Sequence, residues 1–458
     1  MARDREVLRK GVLPRTVMIG WAAGGVGSTT MLYLVNAMLM FFMVTKLEIQ
    51  PAVAGTMLLL VRLYDGFVDL AVGTLSDRTR TSWGRRRPWM AVGAVVSAIG
   101  TVGLFLPPLS EGEAVRHAQL FLAIMVFFTG YSCFSVPSSA MPAEMTDSYE
   151  ERTSLMAWRT FFLQIAGLLG GAAAPWLVAL LGSGLDAYLI MALAAGTLVA
   201  VTMAVAVVTT HGARGGVATV RDPLAAPAPH ALRAIAGNRP YVVLIIVKFA
   251  GYLSIAASGA VGLFFVRDVL GRSEAAMAQI QLVSALVGIA TLPLWRRFAR
   301  GVAKERVYFI ALVLQCLVGG SWLLASATEP QAMLVLRAAL LGLGSSGGLM
   351  MSLAMLPDAI AYDVQRTGVR REGVYSGLFE FMQKLAYATA PFIVGVFLQF
   401  YGYIPGQTAA RQPESAVTAV RLAMGFLPMI AYGLAGLILV LFYRIPHDGT
   451  GRASAPGR

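Results

Sequence analysis

Apolar residues run the whole length of the chain in blocks of about 20 or more, separated by short polar, arginine-rich breaks. A block of that length crosses the hydrocarbon core as a helix, and a helix satisfies its own backbone polar groups there. The blocks fall at 16–45, 51–76, 88–108, 117–142, 155–182, 186–209, 240–267, 274–296, 305–326, 331–356, 373–400 and 418–443, which predicts twelve transmembrane helices. The longest polar interruption, 210–239, is rich in Gly, Ala, Pro and Arg. It divides the chain into an N-terminal six-helix half (1–209) and a C-terminal one (240–445), with a cytoplasmic tail at 446–458. The expected fold class is therefore an all-α membrane protein.

Composition agrees: 57% of the 458 residues are hydrophobic and 13% charged, about half the charge share of a soluble domain. A net charge of +13 could suggest nucleic acid, but the basic residues lie in short loops between spans, where they set topology. Arg3, Arg5, Arg9 and Lys10 before the first span, Arg78 to Arg87 after the second, Arg296 to Arg306 after the eighth and Arg366 to Arg371 after the tenth fall in one set of loops. The alternate loops hold far fewer. The rule that positive loops stay inside places both termini and the central linker in the cytoplasm, in a bacterial-type cytoplasmic (inner) membrane. Met1 to Arg15 is basic and leads into a long apolar span without a cleavage motif, as a cytoplasmic tail would.

Inside this apolar background Arg62, Asp65 and Asp69 stand out at spacing i, i+3, i+7. On a helix they return to nearly one side, and ionisable groups at membrane depth are costly and usually functional. Two carboxylates against one arginine leave a surplus negative charge that suits a proton or Na+; a closed structural ion pair is the plainer alternative. Enzyme chemistry finds little to stand on. There is no GxxxxGK[ST] phosphate loop. Cys133 and Cys316 are unclustered, and the four histidines lie in loops or near span ends. Neither cofactor nor nucleic-acid partner is expected. Gly-rich runs at 24–27, 167–171 and 342–348 predict close helix contacts.

Two six-span halves with both ends inside resemble the major facilitator architecture, whose site lies between the halves near the midplane. Four stretches are narrower in their likeness: Arg62-x-x-Asp65-x-x-x-Asp69; Gly73-x-x-x-Asp77-Arg78 extended through Trp83-Gly84-Arg85-Arg86-Arg87-Pro88-Trp89; Val136-Pro137 through Glu144, Thr146 and Glu150-Glu151-Arg152-Thr153; and Pro357-Asp358 through Asp363, Arg366-Thr367-Gly368 and Arg370-Arg371-Glu372-Gly373. Together, in order, they resemble the glycoside–pentoside–hexuronide:cation symporter family. The resemblance implies two pseudo-symmetric six-helix bundles in the major facilitator fold. It also implies alternating-access symport of a small organic solute, such as a sugar or glycoside, with H+ or Na+, by a chain functional as a monomer among membrane lipids.

By the same resemblance Asp65, Asp69 and Ser132 are expected to hold the cation, supported by Arg62 and Lys384. Arg159 and Lys384 are expected near the solute. Thr29 and Ser135 occupy positions where acidic residues on the first and fourth helices bind sugar hydroxyls in the family. Neither is charged here, which removes strong acceptors for a galactoside. Glu380 stands one helical turn before Lys384, a second candidate at the solute, and Lys248 adds another cation at depth. Asp77, Arg78, Arg85, Arg152, Asp363 and Arg371 are expected to lock conformers through loop ion pairs. A lysolipid or other amphiphile carrier of the same fold is the alternative, and a non-transporting membrane sensor a weaker one.

Overall fold

The computed structural model describes residues 13–110, 112–146, 148–212, 235–369 and 371–443. Arg370 of the fourth motif, the N-terminal arginines up to Lys10, most of the central linker and the 446–458 tail lie outside the described residues. Among the described residues the chain forms twelve long helical segments: α1 (Arg15–Leu34, then Met40–Thr45), α2 (Pro51–Arg78), α3 (Arg87–Gly103), α4 (Glu113–Met145), α5 (Tyr149–Leu168, then Ala174–Leu180), α6 (Leu185–Thr209), α7 (Arg239–Phe264), α8 (Glu274–Phe298), α9 (Lys304–Trp322), α10 (Gln331–Thr367), α11 (Glu372–Phe400) and α12 (Glu414–Phe442). Single π turns interrupt α1 at Val35–Leu39 and α5 at Leu169–Ala173, and end α7 at Phe265–Val269. Among the described residues nine of these segments are long and apolar enough to cross a membrane. The other three fall short for local reasons: α2 carries Arg62, Asp65, Asp69, Asp77 and Arg78, α3 has 17 residues, and α9 opens on Lys304-Glu305-Arg306.

Packing divides the chain into two units, one of residues 1–49, 56–223 and 273–278 and one of residues 50–55, 224–272 and 279–458. In the first, α3 lies tightly on α4. A Cβ at Gly130 would sit 2.4 Å from the Ser97 backbone nitrogen, so only glycine permits this approach. Phe42, Phe105 and Tyr188 cluster nearby, with ring centroids 4.9 to 6.1 Å apart. In the second unit, Tyr241, Leu244, Trp295, Tyr308, Met351, Tyr375 and Phe379 form a buried core. There Gly342 takes the same role against α8, where a Cβ would lie 2.2 Å from the Ser284 carbonyl oxygen.

Helix ends carry the polar work. Helix α10 continues past the apolar block ending at 356 and stops at Gly368, whose φ of 69° is the left-handed conformation glycine favours. Just past the C-terminal end of α7 the Asp268 side chain is fully buried, 2.6 Å from Arg267 Nε and 2.7 Å from the Tyr403 hydroxyl that donates to it. Burial, and then the Asp268 carboxylate, push the Tyr403 phenol up.

Candidate cation and solute site

In its middle, helix α2 exposes several apolar side chains and withdraws three charges. Leu63, Phe67 and Leu70 are exposed, Phe67 at 73%, while Arg62 and Asp69 are half-buried and Asp65 is 1% exposed. The spacing read from the sequence therefore produces one charged face. Three contacts tie that face to α4. Ser132, itself fully buried, donates its hydroxyl to Asp65 Oδ1 at 2.8 Å. One turn away Tyr64 and Thr129 hydrogen-bond at 2.9 Å. The Arg62 guanidinium lies 4.4 Å from the centre of the Phe128 ring, a cation–π contact. Carboxylate and hydroxyl oxygens at this depth can replace a monovalent ion's hydration shell, and a carboxylate can equally take a proton.

Thr29 on α1 and Ser135 on α4 are half-buried. Arg159 on α5 stands 5.6 Å from the Trp21 ring centre, and the Trp21 indole donates to the Ser138 carbonyl at 3.0 Å. Trp21 was not among the sequence candidates. Its only signal was a lone indole, a body apolar at one end and a donor at the other, in an otherwise small and apolar helix.

In the second unit Glu380 and Lys384 are exposed on α11. The structure brings Glu380 Oε1 to within 3.6 Å of Lys248 Nζ on α7, a contact between helices that spacing along α11 does not disclose. Lys248 is buried against aromatic rings, its Nζ 3.3 Å from the Phe379 centroid.

Ion pairs stand at two of the loop motifs, those around Asp77 and Asp363. Asp77 pairs with Arg86, while Arg78 is exposed at the last turn of α2, where a cation suits the helix dipole. Arg85 Nη2 and Arg86 Nε reach Glu144 Oε1 at 3.1 and 3.0 Å, and Arg86 Nη1 donates to the Ser76 hydroxyl at 2.7 Å. Arg86 and Glu144 sat inside the quoted motifs without an assigned role. Arg152 donates Nε to the Thr146 carbonyl at 3.0 Å, at the end of α4. Asp363, fully buried, is held by Arg366 at 3.2 Å and by Arg371 at 3.1 Å.

A membrane-embedded, all-helical chain with charges at depth and ion-paired loops is built as a transporter. Comparison bears this out. The family described as MFS/sugar transport protein matches residues 20–447. An uncharacterized symporter of Synechocystis is 27% identical, aligned over 94% of both chains. The isoprimeverose transporter of Lactiplantibacillus pentosus is 25% identical over 96% of this chain and 91% of its own. A crystal structure of a bacterial homologue of the human lysosomal transporter Spinster superposes with a TM-score of 0.68 at 13% identity, over 97% of this chain and 100% of that one; it shows the fold. The chain belongs to the MFS/sugar transport protein family. It is a secondary transporter, not an enzyme, and it moves a small organic solute together with a cation.

Proposed function

We propose that the solute is a neutral sugar or glycoside and that the coupling ion, H+ or Na+, is held by Asp65 and Asp69 with Ser132. The observation that carries this reading is the Asp65 carboxylate, 1% exposed and accepting from a fully buried Ser132 hydroxyl. Such a group is costly to bury charged and gains most from a bound cation. Arg62 sets the net charge of the face near −1 when all three groups are ionised. Thr29, Ser135 and Arg159 in the first unit are solute-contact candidates, as are Glu380 and Lys384 in the second, each set taken by itself. Hydroxyl side chains at Thr29 and Ser135, and a relative named for isoprimeverose, favour a neutral glycoside other than a galactoside.

In this reading the chain works by alternating access, in a cytoplasmic membrane with both termini inside and one chain as the working unit. The pairs of Asp77, Glu144 and Asp363 with their arginines hold one conformer until loading releases it. The test is uptake of isoprimeverose and of methyl xyloside and methyl glucoside into sealed vesicles, with imposed Na+ or pH gradients. Accumulation with one gradient and not the other names the ion; no gradient-dependent uptake of any of them removes the sugar assignment.

A further inference from the structure

The second unit contains a cavity of about 50 Å³, well beyond the ~10–15 Å³ one water requires. It runs between α7, α9, α10 and α12, and Lys248, Gly251, Tyr252, Tyr308, Gln315 and Tyr432 are in its wall. Two polar atoms there are buried without a hydrogen-bond partner: Lys248 Nζ and Gln315 Oε1. Their residues are 2% and 5% exposed. Native interiors rarely leave such groups unmade, because each orphan carries its desolvation cost.

The two orphans are chemically opposite. Lys248 offers N–H donors and no acceptor, whereas Gln315 Oε1 is an acceptor. An aliphatic hydroxyl does both at once: it accepts from the ammonium and donates to the amide oxygen. Lys248 already has the Glu380 carboxylate at 3.6 Å. A second anion would meet that carboxylate as a like charge, so a neutral group fits better than an acidic one. The tyrosine rings of the wall suit the C–H faces that flank sugar hydroxyls.

We infer that this cavity is a subsite for the hydroxylated end of a neutral solute, with Lys248 donating to a solute hydroxyl and Gln315 accepting from one. The inference rests on the sugar reading above, and adds a contact region inside the C-terminal half that determines specificity.

The experiment uses the purified full-length protein and measures Kd by calorimetry for isoprimeverose, methyl xyloside, methyl glucoside and methyl glucuronide. Lys248→Met and Gln315→Met should each weaken the neutral sugars at least tenfold, with the double variant little worse than either. Gly251→Ala guards against misfolding: its added methyl would meet Tyr432 at an ordinary 3.8 Å, yet it fills the cavity, and it too should weaken binding. Unchanged affinities in well-folded variants overturn the subsite and leave the cavity to water. Binding of the glucuronide alone overturns the neutral-hydroxyl assignment, and no binding by any of the four overturns the subsite. Cation binding measured without sugar, and its loss on Asp65→Asn, reports on the coupling reading separately. Neutral sugars that bind wild type and variants alike overturn the subsite and spare the sugar reading, whereas no binding of any of the four overturns both.

Discussion

Replacing Asp65 by Asn tests the centre of the mechanism. The side chain keeps its shape, and its oxygen can still accept from Ser132, so the 2.8 Å contact between α2 and α4 is retained. What is lost is the charge that a cation must neutralise. A membrane potential of ~100 mV is worth ~2.3 kcal/mol per elementary charge, which is ~50-fold in concentration for one cation moving with one neutral solute. Wild-type vesicles should approach that accumulation. With Asn at position 65 the solute should equilibrate across the membrane without concentrating, while solute-for-solute exchange continues. The wild-type empty carrier should also be slow to reorient. Burying an unneutralised carboxylate costs several kcal/mol, and ~3 kcal/mol alone slows the step ~150-fold; Asp65→Asn should therefore raise leak down a solute gradient. The assay is radiolabelled solute uptake, exchange and efflux in proteoliposomes at a clamped potential. If Asp65→Asn still concentrates solute to the wild-type level, the cation does not bind on α2 and the reasoning fails.

Three further outcomes follow from described contacts. Ser132→Ala removes a hydrogen bond to a charged group, worth ~1.5–3 kcal/mol, and should shift apparent cation affinity by tenfold or more in ion-dependent uptake; an unshifted affinity would take Ser132 out of the site. Asp363→Asn weakens two arginine contacts to one buried carboxylate and should lower stability by ~1.5–3 kcal/mol, read as a drop in Tm in detergent, where an unchanged Tm would show the cluster to be idle. Single cysteines at Gly112 and Gly301, in a background lacking Cys133 and Cys316, should label from opposite faces of the membrane, and labelling from the same face would overturn the topology.

The sequence disclosed what depends on spacing along one helix. Blocks of apolar residues located all twelve segments, and the i, i+3, i+7 charges of α2 do share a face. Hydropathy reports the bilayer and not the helix, which is why α10 was expected to end at 356. The helix runs on through Asp358 and Asp363, whose carboxylates are met by Lys304 and by Arg366 and Arg371, until Gly368 turns the chain. Contacts between helices were legible only where the family resemblance supplied a register, as for Ser132 beside Asp65. Where it supplied none, pairing was missed: Glu380 meets Lys248 across α7 and α11, and Asp77 reaches Arg86 over its neighbour Arg78. The cavity between Lys248 and Gln315 joins positions 67 apart that no periodicity links.

The π turns in α1, α5 and α7 bear on how this protein can change length. A π turn accommodates one residue more than the α-helix on either side of it, so the extra residue is already absorbed and both flanks keep their facing. Deleting one residue within 35–39 or 169–173 should let the α hydrogen-bond ladder close with Trp21 and Arg159 still presented to the same neighbours. The same deletion at 66–68 would turn Asp69 by about 100° relative to Asp65 and split the carboxylate pair. Tolerance of single-residue deletions along the chain should therefore peak at the three π turns and vanish along the middle of α2.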